Sequence, residues 1–337
     1  ASMLSFVFCT GLLSQIYQIS GSPDQLFMIT ALISLPVIYV LRANGSLFLY
    51  LCAITAWAAI SQYDGGNALW YWPLFVAIIP RVVLLLRSHR LSGEGRYVSW
   101  LSIVSLSVGL GISLEKTTPG LWIVVYALFF AVLSLISTAF YREHGRGIRN
   151  PFGTAGFLGM SVLGFMLTYS WPWQDIGWLY SRETLSGHQW VKAADYIVLG
   201  ILFCLFVVLV GTTFWRKWFD SASEVFFALL VTIAFILTSA VTPNSVDHSL
   251  IAAHLMMNAG IFLSGVFYIV WGYHCRRAWS AHSGALIICV LICLRFIFVE
   301  GFFENMIVRG LIFIGLGIAL LVSNYCISRS LLQEGTK

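Results

Sequence analysis

Hydrophobic positions in this chain run in long continuous stretches and do not alternate singly with polar ones. A membrane β-strand would alternate over about 10 residues, whereas a helix crossing the hydrocarbon core needs about 20 mostly apolar residues. The pattern therefore predicts an all-α polytopic transmembrane bundle of about twelve spans. They lie near 3–20, 25–41, 45–62, 69–87, 97–114, 119–141, 153–170, 196–215, 222–241, 249–272, 282–299 and 307–327. Turn-forming groups divide them, among them Gly21-Ser22-Pro23-Asp24, Tyr63-Asp64-Gly65-Gly66-Asn67 and Thr242-Pro243-Asn244. Residues 1–337 read as one integral membrane domain, with 171–195 its longest outer loop. The first stretch has no basic run ahead of it and no cleavage signature, so it reads as a retained span and not a signal peptide. A first residue of Ala1 points to a trimmed start.

Composition agrees. Of 337 residues, 59% are hydrophobic and only 10% charged, against roughly 25% charged in a soluble domain. The mean hydropathy is +0.87. So little charge cannot coat a water-facing surface, and it excludes a soluble fold, a disordered chain and a basic nucleic-acid-binding domain.

The few charges are sorted by loop. Loops after even-numbered spans, with the C-terminal tail, hold Arg42, Arg87, Arg90, Arg96, Arg142, Arg146, Arg149, Arg216, Lys217, Arg276, Arg277, Arg329 and Lys337. Loops after odd-numbered spans hold only Lys116, Arg182 and Lys192, but nine acids: Asp24, Asp64, Glu115, Asp175, Glu183, Asp195, Asp247, Glu300 and Glu304. By the positive-inside rule both termini are expected in the cytoplasm, as in a multi-pass protein of a bacterial inner membrane. The net charge of +5 is then an orientation signal. Trp70, Trp72, Trp171, Trp173, Trp178 and Trp190 fall at outer span ends, and Trp215, Trp218, Trp271 and Trp279 at inner ends, as interfacial belts do. Trp173, Ile176, Trp178 and Leu179 are expected to lay an amphipathic turn on the membrane surface. None of the seven cysteines falls in an outer loop, so no disulfide is implied. Cys289 and Cys293 share a helix face without a His or acid at ligand spacing, and they read as small apolar filler. No metal site, cofactor or catalytic residue is assigned.

Polar groups at lipid depth are costly and mark functional candidates. Nearly all of them here fall in the outer half: Gln15 and Gln18 in the first span, Asp247, His254 and Asn258 in the tenth, Arg295 ending the eleventh, then Glu300, Glu304 and Arg309. Arg295, Glu300, Glu304 and Arg309 bracket one tight outer hairpin. Its guanidinium forks suit an anion or lipid headgroup; internal Arg–Glu pairing that pins the last two spans is the plain structural alternative. In the inner half only Arg81 stands out, within snorkelling reach of the surface. Glycines in the seventh and last spans read as packing devices.

Leu13-Ser14-Gln15-Ile16-Tyr17-Gln18-Ile19-Ser20-Gly21 resembles the first hairpin of a bacterial family of polytopic membrane proteins of unknown function. A span ending Leu41-Arg42, the Asn258 span ending Arg276-Arg277, Leu294-Arg295-Phe296, and Arg309-Gly310-Leu311-Ile312-Phe313 are similar to further stretches of that family. The acid the family carries just after the Arg295–Phe296 aromatic is missing, with Glu300 or Glu304 as stand-ins. The resemblance implies a membrane partner of the GDYxxLxY type in a heteromeric envelope complex, beside the surrounding lipids.

Three functions are weighed. The leading one is a transporter or channel-like component, with an outward polar cavity for a small anionic or lipidic substrate. The second is a membrane-embedded transferase acting on an envelope lipid or glycan, with His254, Asp247 or Glu300 as base and Arg295 as anion holder. The third is a non-catalytic scaffold of an envelope complex.

Overall fold

The computed structural model describes residues 23–40, 44–64, 66, 68–89, 92–114, 120–140, 150–174, 189–215, 222–239, 246–275, 278–298, 314–315 and 317–318. Among them the long elements are all helices, and no β-strand occurs. In chain order they are α1 (Pro23–Val40), α2 (Asn44–Tyr63), α3 (Tyr71–His89), α4 (Gly93–Leu114), α5 (Leu121–Phe140), α6 (Pro151–Leu167), α7 (Gln189–Trp215), α8 (Ala222–Ser239), α9 (Val246–His274) and α10 (Ala278–Phe298). A 3-10 turn at Ala68–Trp70 precedes α3, and one helical turn, Trp171–Gln174, follows α6. The first expected span lies outside the described residues, and so does the last, apart from four helical positions at 314–315 and 317–318.

Local chemistry sets the helix ends. Asn150 caps α6: its Oδ1 accepts from the Gly153 backbone N–H at 3.1 Å, while Pro151 occupies the first helical position, where no N–H is needed. Ser92 does the same for α4, its Oγ accepting from Gly95 N–H at 3.0 Å. Gly120, with φ at 82°, makes the left-handed turn that opens α5.

Among the described residues, seven helices are long and apolar enough to cross a membrane: α1 to α5, α7 and α9; α6, α8 and α10 are shorter apolar helices. Their burial is inverted relative to a water-soluble bundle. The apolar stretch of α7 has the highest mean hydropathy of the seven, 2.8, yet only 11% of it is buried. Ile197, Ile201, Phe203, Leu205, Val207 and Val208 all stand exposed on it. In water the outer face of an exposed helix is polar. An outer face made of such side chains needs an apolar solvent, so the protein is a helical membrane protein.

The described helices gather into two compact units. One holds α1 to α5, the opening of α6, and α7. Its cores centre on Tyr50, Ile54, Tyr71 and Ile78, and on Leu110, Val125, Phe129 and Leu133. Lipid offers no hydrophobic drive between helices, so close packing and interhelical hydrogen bonds, worth about 0.6 and at most about 1.7 kcal/mol each, hold them together. The Tyr71 hydroxyl donates to the Ser105 carbonyl at 2.8 Å, and Ser105 Oγ in turn meets Thr55 Oγ1 at 2.7 Å, tying α2, α3 and α4. Tyr50 donates to the Leu74 carbonyl at 2.7 Å, and Tyr126 to that of Ser107, also at 2.7 Å.

The other unit holds the rest of α6, the 171–174 turn, and α8 to α10. Here α9 and α10 form an antiparallel hairpin whose backbones nearly touch. A Cβ on Gly284 would lie 2.8 Å from the Ile269 backbone nitrogen, and one on Gly272 2.9 Å from the Ala281 Cα. Only glycine permits that approach. Trp173 is 1% exposed, and its indole N–H donates at 2.9 Å to the carbonyl of Leu167, the last residue of α6. It seals a helix end inside the protein, and this corrects the expected surface role; Trp171 does stand half-exposed.

Candidate functional site

The sequence-predicted polar residues that are described lie at one end of the second unit. Helix α9 carries Asp247, His254 and Asn258, whose spacings of seven and four keep them on one stripe. His254 Nε2 is buried and has no hydrogen-bond partner among the described residues. The side-chain amide of Asn258 donates back to the His254 carbonyl at 2.7 Å, within its own helix. In the hairpin, Gly272 sits beside Ala281 and Gly265 beside Ile288. That register brings Asn258 level with Arg295 in the last turn of α10. Just before Arg295, the carbonyl of Leu294 accepts from the Tyr169 hydroxyl at 3.4 Å. Gln15, Gln18, Glu300, Glu304 and Arg309 lie outside the described residues.

A second polar group lies about 21 Å further along α9, since Tyr268 follows His254 by fourteen residues at 1.5 Å each. Glu224, in the first turn of α8, is 2% exposed. Its Oε1 accepts from the Tyr268 hydroxyl at 2.6 Å, and its Oε2 from Ser223 Oγ at 2.9 Å. Phe157 of α6 meets the Tyr268 ring edge-on at 5.4 Å, which fixes the ring and aims its hydroxyl. Beside this group, within the unit, is a half-open pocket of about 30 Å³ whose surface is almost wholly apolar, with Phe157, Met160, Phe227 and Ile261 on its walls and Glu224, Tyr268 and Ser264 at its margin. Ser264 Oγ is buried there with no hydrogen-bond partner among the described residues.

Glu224 carries no mark in the sequence that sets it apart as functional. Ser221-Ala222-Ser223-Glu224 has the form of a capping box, which explains an acid in a first helical turn without function. Its one distinguishing sign is that it is the only charged residue of α8. Asp195 also departs from expectation. Read as an outer-loop acid, it belongs to α7, is 2% exposed, and its Oδ2 has no partner among the described residues.

No cluster of three His, Cys, Asp or Glu occurs among the described residues, and Cys289 and Cys293 are free, half-buried thiols. The chain matches no protein-family model, no curated protein and no solved structure.

Proposed function

We propose that this is a multi-pass transport protein of a bacterial inner membrane, with about twelve spans and both termini in the cytoplasm. The observation that carries the reading is Glu224. An acid buried among apolar membrane helices, held by a tyrosine and a serine beside a small apolar pocket, is costly to maintain and marks a functional candidate. In this frame Glu224 and Tyr268 lie toward the cytoplasmic ends of their helices. His254, Asn258 and Arg295 lie toward the outer ends, where a small anionic or lipidic substrate would enter. The family resemblance adds a GDYxxLxY-type membrane partner to this reading.

Alternating access is the property to measure, and it needs no knowledge of the substrate. A single cysteine at Ser264→Cys, in a protein freed of its native cysteines, reports water reaching the cavity. The expected result is modification by a membrane-impermeant thiol reagent from either face. A cavity closed to reagent from both faces would overturn the transport reading.

A further inference from the structure

Arg81 is the one charged residue within the apolar stretch of α3, six residues and about 9 Å short of Arg87. It is half-buried, and Val76, Ile79, Val83 and Leu84 stand exposed on the turns before and after it. Helix α1 meets the same turn. The hydroxyl of Tyr39, an exposed side chain, donates at 2.5 Å to the Ala77 carbonyl, the group to which the Arg81 backbone N–H donates in an α-helix. A guanidinium, a phenol and exposed apolar side chains therefore share one patch across α1 and α3. We propose that this patch binds an anionic phospholipid, its phosphate on Arg81 and its acyl chains along the exposed face of α3.

A guanidinium is always charged, and a fixed charge at lipid depth is costly unless an anion meets it or the side chain reaches the interface. The neighbouring helices supply no acid at that depth. α2 and α3 contain no Asp or Glu, and the acid of α1 is Asp24, in its first turn and fifteen residues from Tyr39. The acid of α4 is Glu94, one residue into that helix, whereas Arg81 lies eight residues before the end of α3, so about 10 Å of helical rise separates their levels. A lipid phosphate supplies what these helices lack. The guanidinium fork matches two phosphate oxygens at once. The Tyr39 oxygen, having donated its proton, keeps lone pairs for a headgroup donor. A zwitterionic headgroup brings its own cation, which offsets the attraction; a net-anionic one does not. Basic sites between membrane helices on the cytoplasmic side suit such headgroups, and the orientation proposed above puts Arg81 toward that side. Binding itself is independent of the transport reading.

The test is photolabelling of the purified full-length chain in phosphatidylcholine nanodiscs, doped with a phosphatidylglycerol that carries a diazirine in one acyl chain. Labelled peptides are mapped by mass spectrometry. Labelling of 76–84 is expected at roughly fivefold, about 1 kcal/mol, above that by the same probe with a choline headgroup. Arg81→Gln should bring the two probes level without lowering the unfolding temperature. Arg81→Lys, which keeps the charge, should retain most of the preference, and it serves if Arg81→Gln fails to fold. Equal labelling by both probes in the wild-type protein overturns the proposal, since 76–84 is then an ordinary lipid contact. So does a preference untouched by Arg81→Gln, or one lost in folded Arg81→Lys. A preference abolished by inorganic phosphate also overturns it, since the ligand is then the free anion.

Discussion

The hydroxyl of Tyr268 donates to Glu224 Oε1 at 2.6 Å, joining two helices across 44 residues of sequence. The pair sits in the second unit where α8 begins and α9 nears its end, and Ser223 holds the other carboxylate oxygen.

That pair should be energetically coupled. Tyr268→Phe keeps the ring against Phe157 and removes only the donor, and Glu224→Leu keeps similar bulk and removes the acceptor. A double-mutant cycle on thermal unfolding should give a coupling of about 0.6–1.7 kcal/mol, the range for hydrogen bonds between membrane helices. Strict additivity of the two changes would show that the contact contributes nothing to stability.

The hairpin of α9 and α10 should reject any side chain at Gly284. Gly284→Ala puts a methyl against the Ile269 backbone nitrogen, which cannot yield as a flexible side chain does. A loss of about 1–3 kcal/mol is expected, the usual cost of overpacking. Gly200→Ala and Gly211→Ala in α7, with nothing within 4 Å of the added carbon, should be neutral or stabilising by up to about 1 kcal/mol from helix propensity. Equal effects at Gly284 and Gly200 in a thermal melt would contradict the close approach.

Asn150→Ala should cost about 0.5–2 kcal/mol, because it strips the cap from α6. It also removes the amide that donates to Ser137 Oγ at 2.7 Å, so Asn150→Asp should recover only the capping part. Full recovery by Asp would show that the Ser137 contact is idle.

Orientation can be read with reporter fusions. A fluorescent protein joined after residue 337 should fluoresce, and alkaline phosphatase joined near Asp24 or Asp247 should be active. An active phosphatase at the C-terminus would refute the twelve-span arrangement with both ends inside.

The helices were legible as apolar runs between turn-formers, because lipid demands that each segment satisfy its own backbone. The site was legible only where polarity stands alone in an apolar run. His254 and Asn258 stand out in that way as candidates. Glu224 does not, because three residues after Ser221 an acid has an ordinary explanation in helix capping. Trp173 misled for a related reason: position near a span end suits an interfacial anchor and a buried cap equally, and the indole N–H finds the Leu167 carbonyl only in the folded chain.

The sequence by itself determined that this is an apolar helical protein with few charges, since both properties are sums over local composition. Only the tertiary structure decided that Glu224, Tyr268, Ser223 and Ser264 share one cavity and that Asp195 is buried. Those facts depend on which faces of distant helices meet. In an apolar solvent that choice rests on backbone approach at glycines and on individual hydrogen bonds, and neither leaves a periodic trace in the chain.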